Sequence, residues 1–407
     1  MERRVGLLGV VLAVACAEPA GGGESSGESS TTSASTSTAT TASSTSGSAS
    51  TSSGGSEESG TSVGGSSSGV VDESSTGVVV ETMPVFVALG DGGWTAGSCD
   101  GGNTWVAHAF SDEEGDHTQW TAFGGLAYRD GAFVAGLGWG GEGGHILRSI
   151  DGQSWEDLGM DAFVADGMPV GYAIYTSGVA AIADDLMIFS QRVWQSSDGA
   201  AWTSIDVSLP PGAEQLRQLR GFPEANLLVA SVESQSGNDH PQGNFVVVSD
   251  DGGMTWSEGT GFSSDCANPI QHSGDVELVG DVLLVATGDV CRSPDRGATW
   301  ELIAMPTGAP INDLFHDDQG FLAVAGAQIW RSTDGASWSM IGDTGEPLRA
   351  AAWADGAYAA VSTMGTVLLH SDDAITWSPG TVQDEVPGER WVRDFIGVAV
   401  EGDCATR

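Results

Sequence analysis

Hydrophobic and polar positions divide the chain into three stretches of different texture. Residues 5–15 form one continuous apolar run of eleven residues, Val5 to Ala15, behind the charged start Glu2-Arg3-Arg4. Residues 17–82 carry almost no large apolar side chain before Val70 and are built of Gly, Ser, Thr and Ala with scattered Glu. From Met83 to the end, short apolar-rich runs alternate with Gly-rich turns. The last part of this region is typical: Leu348–Ala354, Ala357–Thr363 and Val367–Ser371 read as three successive strands, and a fourth opens at Thr376-Trp377. Runs of this length with turn signals between them predict an all-β domain over 83–407. The middle stretch cannot bury enough surface to offset the entropy of ordering its backbone, and reads as a flexible, disordered tether. The first run is too short to span a bilayer and has the length of a signal-peptide core.

Seven short segments within 83–407 share one pattern. Three are long: Ser98-Cys-Asp-Gly-Gly-Asn-Thr-Trp105, Ser249-Asp-Asp-Gly-Gly-Met-Thr-Trp256 and Ser293-Pro-Asp-Arg-Gly-Ala-Thr-Trp300. Three are one residue shorter: Ser149-Ile-Asp-Gly-Gln-Ser-Trp155, Ser196-Ser-Asp-Gly-Ala-Ala-Trp202 and Ser332-Thr-Asp-Gly-Ala-Ser-Trp338. The seventh, Ser371-Asp-Asp-Ala-Ile-Thr-Trp377, lacks the glycine. These segments resemble Asp boxes, the repeats of bacterial sialidases and of other propellers. Their chemistry is that of a turn: Ser and Asp side chains bond nearby backbone N–H groups, Gly supplies positive φ, and Trp offers a large packing surface. Asp100, Asp151, Asp198, Asp251, Asp295, Asp334 and Asp373 therefore read as turn-formers rather than catalytic acids, since a repeated residue does not make one constellation.

Successive box tryptophans (Trp105, Trp155, Trp202, Trp256, Trp300, Trp338 and Trp377) lie 38 to 54 positions apart. That is the period of a four-stranded propeller blade. Naming the strands A (innermost) to D (outermost), each box is a C–D turn. The first blade has Val85–Leu89 for strand B and Trp94–Ser98 for strand C, with no strand A ahead of them. Val392 to Ala399, after the seventh box, supplies it. The expectation is a seven-bladed β-propeller closed by a C-terminal strand that completes the first blade, which removes its open edges.

Composition narrows the setting. The net charge is −41, with 55 acidic residues against 14 Arg and no Lys. Such a field excludes nucleic acid and anionic membrane surfaces as partners. The end of the first apolar run, Leu12-Ala13-Val14-Ala15-Cys16, resembles a bacterial lipobox, with Ala13 where Leu is usual. The resemblance implies a lipoprotein signal over 1–16, lipidation at Cys16, and attachment to a membrane by that lipid alone; an ordinary cleavable signal is the alternative. It also implies an extracytoplasmic location at the cell envelope, on the outer membrane or cell surface. The oxidising compartment permits disulfides among Cys99, Cys266, Cys291 and Cys404. Ring closure places Cys404 beside Cys99, which predicts a Cys99–Cys404 clasp and a Cys266–Cys291 staple in the fifth blade.

Candidate chemistry is expected on the face opposite the boxes. The long loops Ala107–Phe123, Gly159–Gly178 and Gln235–Gln242 bring aromatics beside carboxylates, with Trp120, Trp139, Tyr172 and Tyr175 as candidate sugar-stacking residues. A packed, solvated acidic rim is the plainer alternative. Arg217 or Arg220, Arg349 and Arg393 fall near the starts of inner strands in blades 4, 7 and 1, and together would form an anion site at the channel mouth. Pairing with local acids such as Asp313 or Asp394 is the competing expectation. The Arg-Ile-Pro segment, Arg triad and Tyr–Glu pair of sialidases are not recognisable. Gly136 to Gly141 fits G-x-G-x-x-G without a following helix, and no His/Cys metal spacing occurs. The reading is a monomeric surface binding or adhesion module for an extracellular glycan or protein, without cofactor or metal. A glycoside hydrolase using two loop carboxylates, or an envelope assembly scaffold, is the alternative.

Overall fold

The computed structural model describes residues 81–109, 124–137, 145–159, 178–189, 193–234, 244–262, 266, 276–383, 391–402 and 404. The candidate residues Cys16, Trp120, Trp139, Tyr172 and Tyr175, and the greater part of the three long loops, lie outside them.

The described residues form seven sheets, antiparallel apart from one edge strand, each a blade of a seven-bladed β-propeller. Six blades have four strands in simple sequence order. The first blade is assembled from both ends of the domain: Val392–Glu401 is innermost and pairs with Thr82–Gly90, which pairs with Trp94–Ser98 and then Thr104–Ala109. A fifth strand, Thr381–Gln383, runs parallel on its outer edge against Thr104–Val106. The C-terminal closure matches the sequence expectation; the fifth strand is additional.

Inner and middle strands are sandwiched between neighbouring blades and so read as continuous apolar runs rather than as alternation. Val85–Leu89 and Leu227–Val232 are buried throughout apart from no more than a trace of exposure, while outer strands such as Thr203–Ile205 and Ser378–Pro379 are exposed or half-buried. The core is consequently a ring of inter-blade layers. One layer packs Val87 and Leu89 of blade 1 on Phe133 and Leu147 of blade 2. Another packs Leu322 and Ile329 of blade 6 on Leu348 and Tyr358 of blade 7.

The seven boxes all make C–D turns, in two forms. In every box the Ser hydroxyl donates to the Asp Oδ1 at 2.9–3.0 Å. In the short boxes that Oδ1 also accepts the backbone N–H groups two and three residues on, as Asp334 does from Ala336 and Ser337 at 2.8 Å. In the long boxes the Thr four residues on supplies both donors, as Thr299 N–H and Oγ1 do to Asp295, each at 2.7 Å. The extra residue has a second consequence. It leaves the box Thr free to form a parallel bridge with the chain leaving the previous blade: Ser208 with Thr255, Thr260 with Thr299, and Thr381 with Thr104. Each long box thus takes an additional tie to its neighbour. In six boxes the Trp Nε1 donates to the carbonyl of the residue three positions back, at 2.8–3.2 Å.

Two disulfides staple the ring. Cys99 in the first box joins Cys404 just beyond the closing strand, with Cα atoms 6.3 Å apart. Buried Cys266 joins Cys291 on strand C of blade 5, with Cα atoms 5.8 Å apart.

Candidate functional site

Each inner strand starts at the loop face and ends at the box face, because A–B and C–D turns share one end of an up-and-down sheet. Four of the seven inner strands carry a β-bulge near the loop-face end. The residues skipped in the pairing are Arg393 in blade 1, Gln218 in blade 4, Asn312 in blade 6 and Arg349 in blade 7. Bulges re-aim a side chain, and these four polar residues occupy equivalent places around the channel mouth.

Two of the expected arginines find protein partners there. Arg393 grips Asp91 in a fork, Nε–Oδ1 2.5 Å and Nη2–Oδ2 2.9 Å. Arg349 is buried and donates from Nη1 to Asn312 O at 2.5 Å, while Asn312 Nδ2 donates to Leu348 O at 2.8 Å. Asp313 and Asp394, the acids expected beside them, do something else. Asp394 accepts the Leu126 N–H of blade 2 at 2.6 Å, and Asp313 the Ala351 N–H of blade 7 at 2.8 Å. They stitch one inner strand to the next. Arg217 sits one residue before its bulge, and its carbonyl accepts from Ser231 Oγ at 3.0 Å.

Arg220 stands further along the same inner strand, towards the box end, and has a different environment. Beside it on the inner strand of blade 5 is Glu277, whose carboxylate is buried with 3 % side-chain exposure. Glu277 Oε1 accepts His316 Nδ1 from the inner strand of blade 6 at 3.0 Å and the Leu278 N–H at 3.0 Å. Burial alone would push this carboxyl up. The hydrogen bond and charge of His316, the charge of Arg220 and the Leu278 N–H outweigh it and hold the pKa below the ordinary glutamate value. His316 is raised, chiefly by that same hydrogen bond and by the Glu277 charge. Both shifts describe one ion pair.

Arg220 approaches Glu277 Oε2 only to 3.8 Å, beyond hydrogen-bond reach, with its side chain 25 % exposed. It makes no hydrogen bond among the described residues. It lines both halves of the central channel and also a pocket of about 580 Å³ at the box end. That pocket lies between the A–B turns of blades 4 and 5, with Phe222, Pro223 and Leu278 as apolar wall and His316 at its inner edge. Arg296 of the fifth box closes one side: its guanidinium donates to Ala225 O and its N–H to Asp281 O at 3.0 Å. Arg296 has φ +59°, at the position where the other long boxes have Gly101 and Gly252. A non-glycine residue there holds about 1–2 kcal/mol of backbone strain.

Glu277 is held ionised, with Oε1 hydrogen-bonded and Oε2 3.8 Å from Arg220, so it is not a proton donor near neutral pH. Burial and its hydrogen bond to Asp317 Oδ2 (2.7 Å) push the Tyr358 hydroxyl up to about 12. Among the described residues no cluster of three or more His, Cys, Asp and Glu side chains is placed to hold a metal ion.

No family model matches the chain, and no curated protein does. Several solved structures are similar to it. YCF48 bound to a D1 peptide is 15% identical with a TM-score of 0.47, over 69% of this chain and 91% of that one. YCF48 from Cyanidioschyzon merolae is 15% identical with a TM-score of 0.43, over 70% and 96%. A streptogramin B lyase is 12% identical with a TM-score of 0.43, over 64% and 83%. Likeness at this level leaves the function to the residues themselves.

Proposed function

We propose that the chain is a surface-displayed binding module of Asp-box type. Residues 1–16 direct export, Cys16 carries the lipid, residues 17–82 form the tether, and the propeller presents its ligand site at the cell envelope. The observation that carries the binding reading is Arg220: a part-buried guanidinium in the channel that makes no hydrogen bond among the described residues, beside the ionised carboxylate of Glu277. A tether extends the reach of a binding domain without adding chemistry.

Two measurements test this on the full chain. Metabolic labelling with a fatty acid, compared with Cys16→Ser, should give label and membrane retention only with Cys16 present. Purified protein incubated with immobilised neutral and acidic polysaccharides and with envelope protein fractions should be retained without releasing sugar. Release of sugar would replace the binding reading with a glycoside hydrolase, and label on the Cys16→Ser chain would remove the lipid anchor.

A further inference from the structure

We infer that the pocket at the box end of the channel is a site for a small carboxylic acid with an apolar body, held through Arg220 with His316 beside it. This rests on the reading of the chain as a binding module and gives that module a ligand class and a place, on the box side of the channel rather than over the loop face.

Three observations converge. The first is unmet donor capacity. A guanidinium carries five N–H donors and favours planar, bidentate acceptors. Arg393 shows the satisfied state in this protein, forked on Asp91. Among the described residues Arg220 has only the 3.8 Å approach to Glu277. A carboxylate entering the pocket would complete the fork.

The second is the surrounding charge. Glu277 comes from blade 5, Arg220 from blade 4 and Asp317 from the position next to His316; these are the charged groups that act on the His316 ring. Glu277 holds His316 protonated to higher pH than a free imidazole, so that pair is neutral; of the other charged groups lining the pocket, Arg220 and Arg296 stand against Glu224 and Asp281, and Arg220 is the cation that makes no hydrogen bond among the described residues. When His316 loses its proton, Glu277 is left to neutralise Arg220 and the attraction for an anion falls.

The third is shape. Phe222, Pro223 and Leu278 give the pocket an apolar wall, and about 580 Å³ suits a body of one or two rings. Arg296, held at positive φ where glycine would be relaxed, keeps the turn of blade 4 against the fifth box through Ala225 O. Phosphate and sulfate would use the cations but not the wall; an amine would leave the Arg220 donors unmet.

The test is titration of the full-length protein by calorimetry and ligand-observed NMR with phenylacetate and hydrocinnamate, against benzamide, benzylamine and phenyl phosphate. The carboxylates should bind and benzamide should not. Arg220→Met should weaken phenylacetate by at least about tenfold, since a hydrogen-bonded charge contributes roughly 1.5–3 kcal/mol. Binding should weaken a few-fold as pH rises above 6.5, the ordinary histidine value, through the raised pKa of His316. His316→Gln should flatten that profile at the weaker, high-pH level of the unaltered protein. The flattened profile reports on the site independently, should Arg220→Met fail to fold. Equal binding of phenylacetate and benzamide, preference for the amine or the phosphate, or a pH profile unchanged by His316→Gln would overturn the assignment. Retention of polysaccharide or protein that survives in Arg220→Met would overturn this site and leave the binding module standing. Phenylacetate binding without any macromolecular retention would do the reverse.

Discussion

Gly152 has φ +73°, and a Cβ built there would lie 2.7 Å from Val87 Cγ2 on the preceding blade. Both the turn and the inter-blade packing therefore exclude a side chain. The same close approach recurs around the ring: Gly199 meets Val134, Gly253 meets Met187, Gly297 meets Val248 and Gly335 meets Leu284. Ala374 stands at this place in the seventh box with φ +60° and fully buried, so that box is strained, as the fifth is at Arg296. Gly152→Ala should lower unfolding free energy by about 1–3 kcal/mol, from the left-handed backbone and from crowding against a β-branched, stiff neighbour. Chemical denaturation checks this, and an unchanged midpoint would mean that Val87 and the turn relax together. At the same scale, Arg220 was visible in the sequence as a cation on an inner strand. Its two companions were not. Glu277 and His316 are 39 residues apart on different blades, and only the curvature of the ring brings them to 3.0 Å.

Elements were legible to different degrees. The strands of blade 7 fall almost where apolar runs and turns place them, Leu348–Ala354, Ala357–Ser362 and Leu368–Ser371. The inner-strand bulges left no mark, because they are set by pairing register and are occupied by Arg393, Gln218, Asn312 and Arg349, which share a position rather than a chemistry. The difference between long and short boxes was visible, but its meaning was not. The additional residue creates the parallel bridge to the preceding blade, in which Thr260 N–H donates to Ala298 O at 2.9 Å and Trp300 N–H to Thr260 O at 3.0 Å. Converting the fifth box to the short form by deleting Arg296, which puts Gly297 directly after Asp295, should keep the turn, since Asp295 can then accept the two following N–H groups as Asp334 does. It should break the bridge. Hydrogen exchange should report lost protection at the Trp300 amide and a local cost of about 1–2 kcal/mol for two backbone bonds. Retained protection at Trp300 would show that Thr260 follows the shortened turn.

At the scale of the whole molecule, two opposing effects of acid meet. The chain has a net charge of −41, most of it within 83–407, so the folded ring repels itself, and protonating surface carboxylates as pH falls from 7 relieves that repulsion. The box carboxylates act in the other direction. In Asp198, Asp334 and Asp373 the two backbone N–H donors lead in lowering the pKa. In Asp100, Asp251 and Asp295 burial raises it, and the bonds from the following Thr and the box Ser more than compensate. All six therefore have folded values below 3.8, the ordinary aspartate value. A group lowered on folding contributes fully above its unfolded pKa and loses that contribution as pH falls through the folded one. Stability should thus rise modestly from pH 7 towards about pH 4.5 and then fall steeply below about pH 4, as the boxes protonate and the C–D turns lose their acceptors. Denaturant midpoints measured from pH 3 to 8 give the curve, and Asp251→Asn with Asp295→Asn should flatten its acid limb by removing two of the six titrating groups. A decline that already begins near pH 6, or an acid limb unaffected by the double substitution, would assign acid sensitivity to groups other than the boxes.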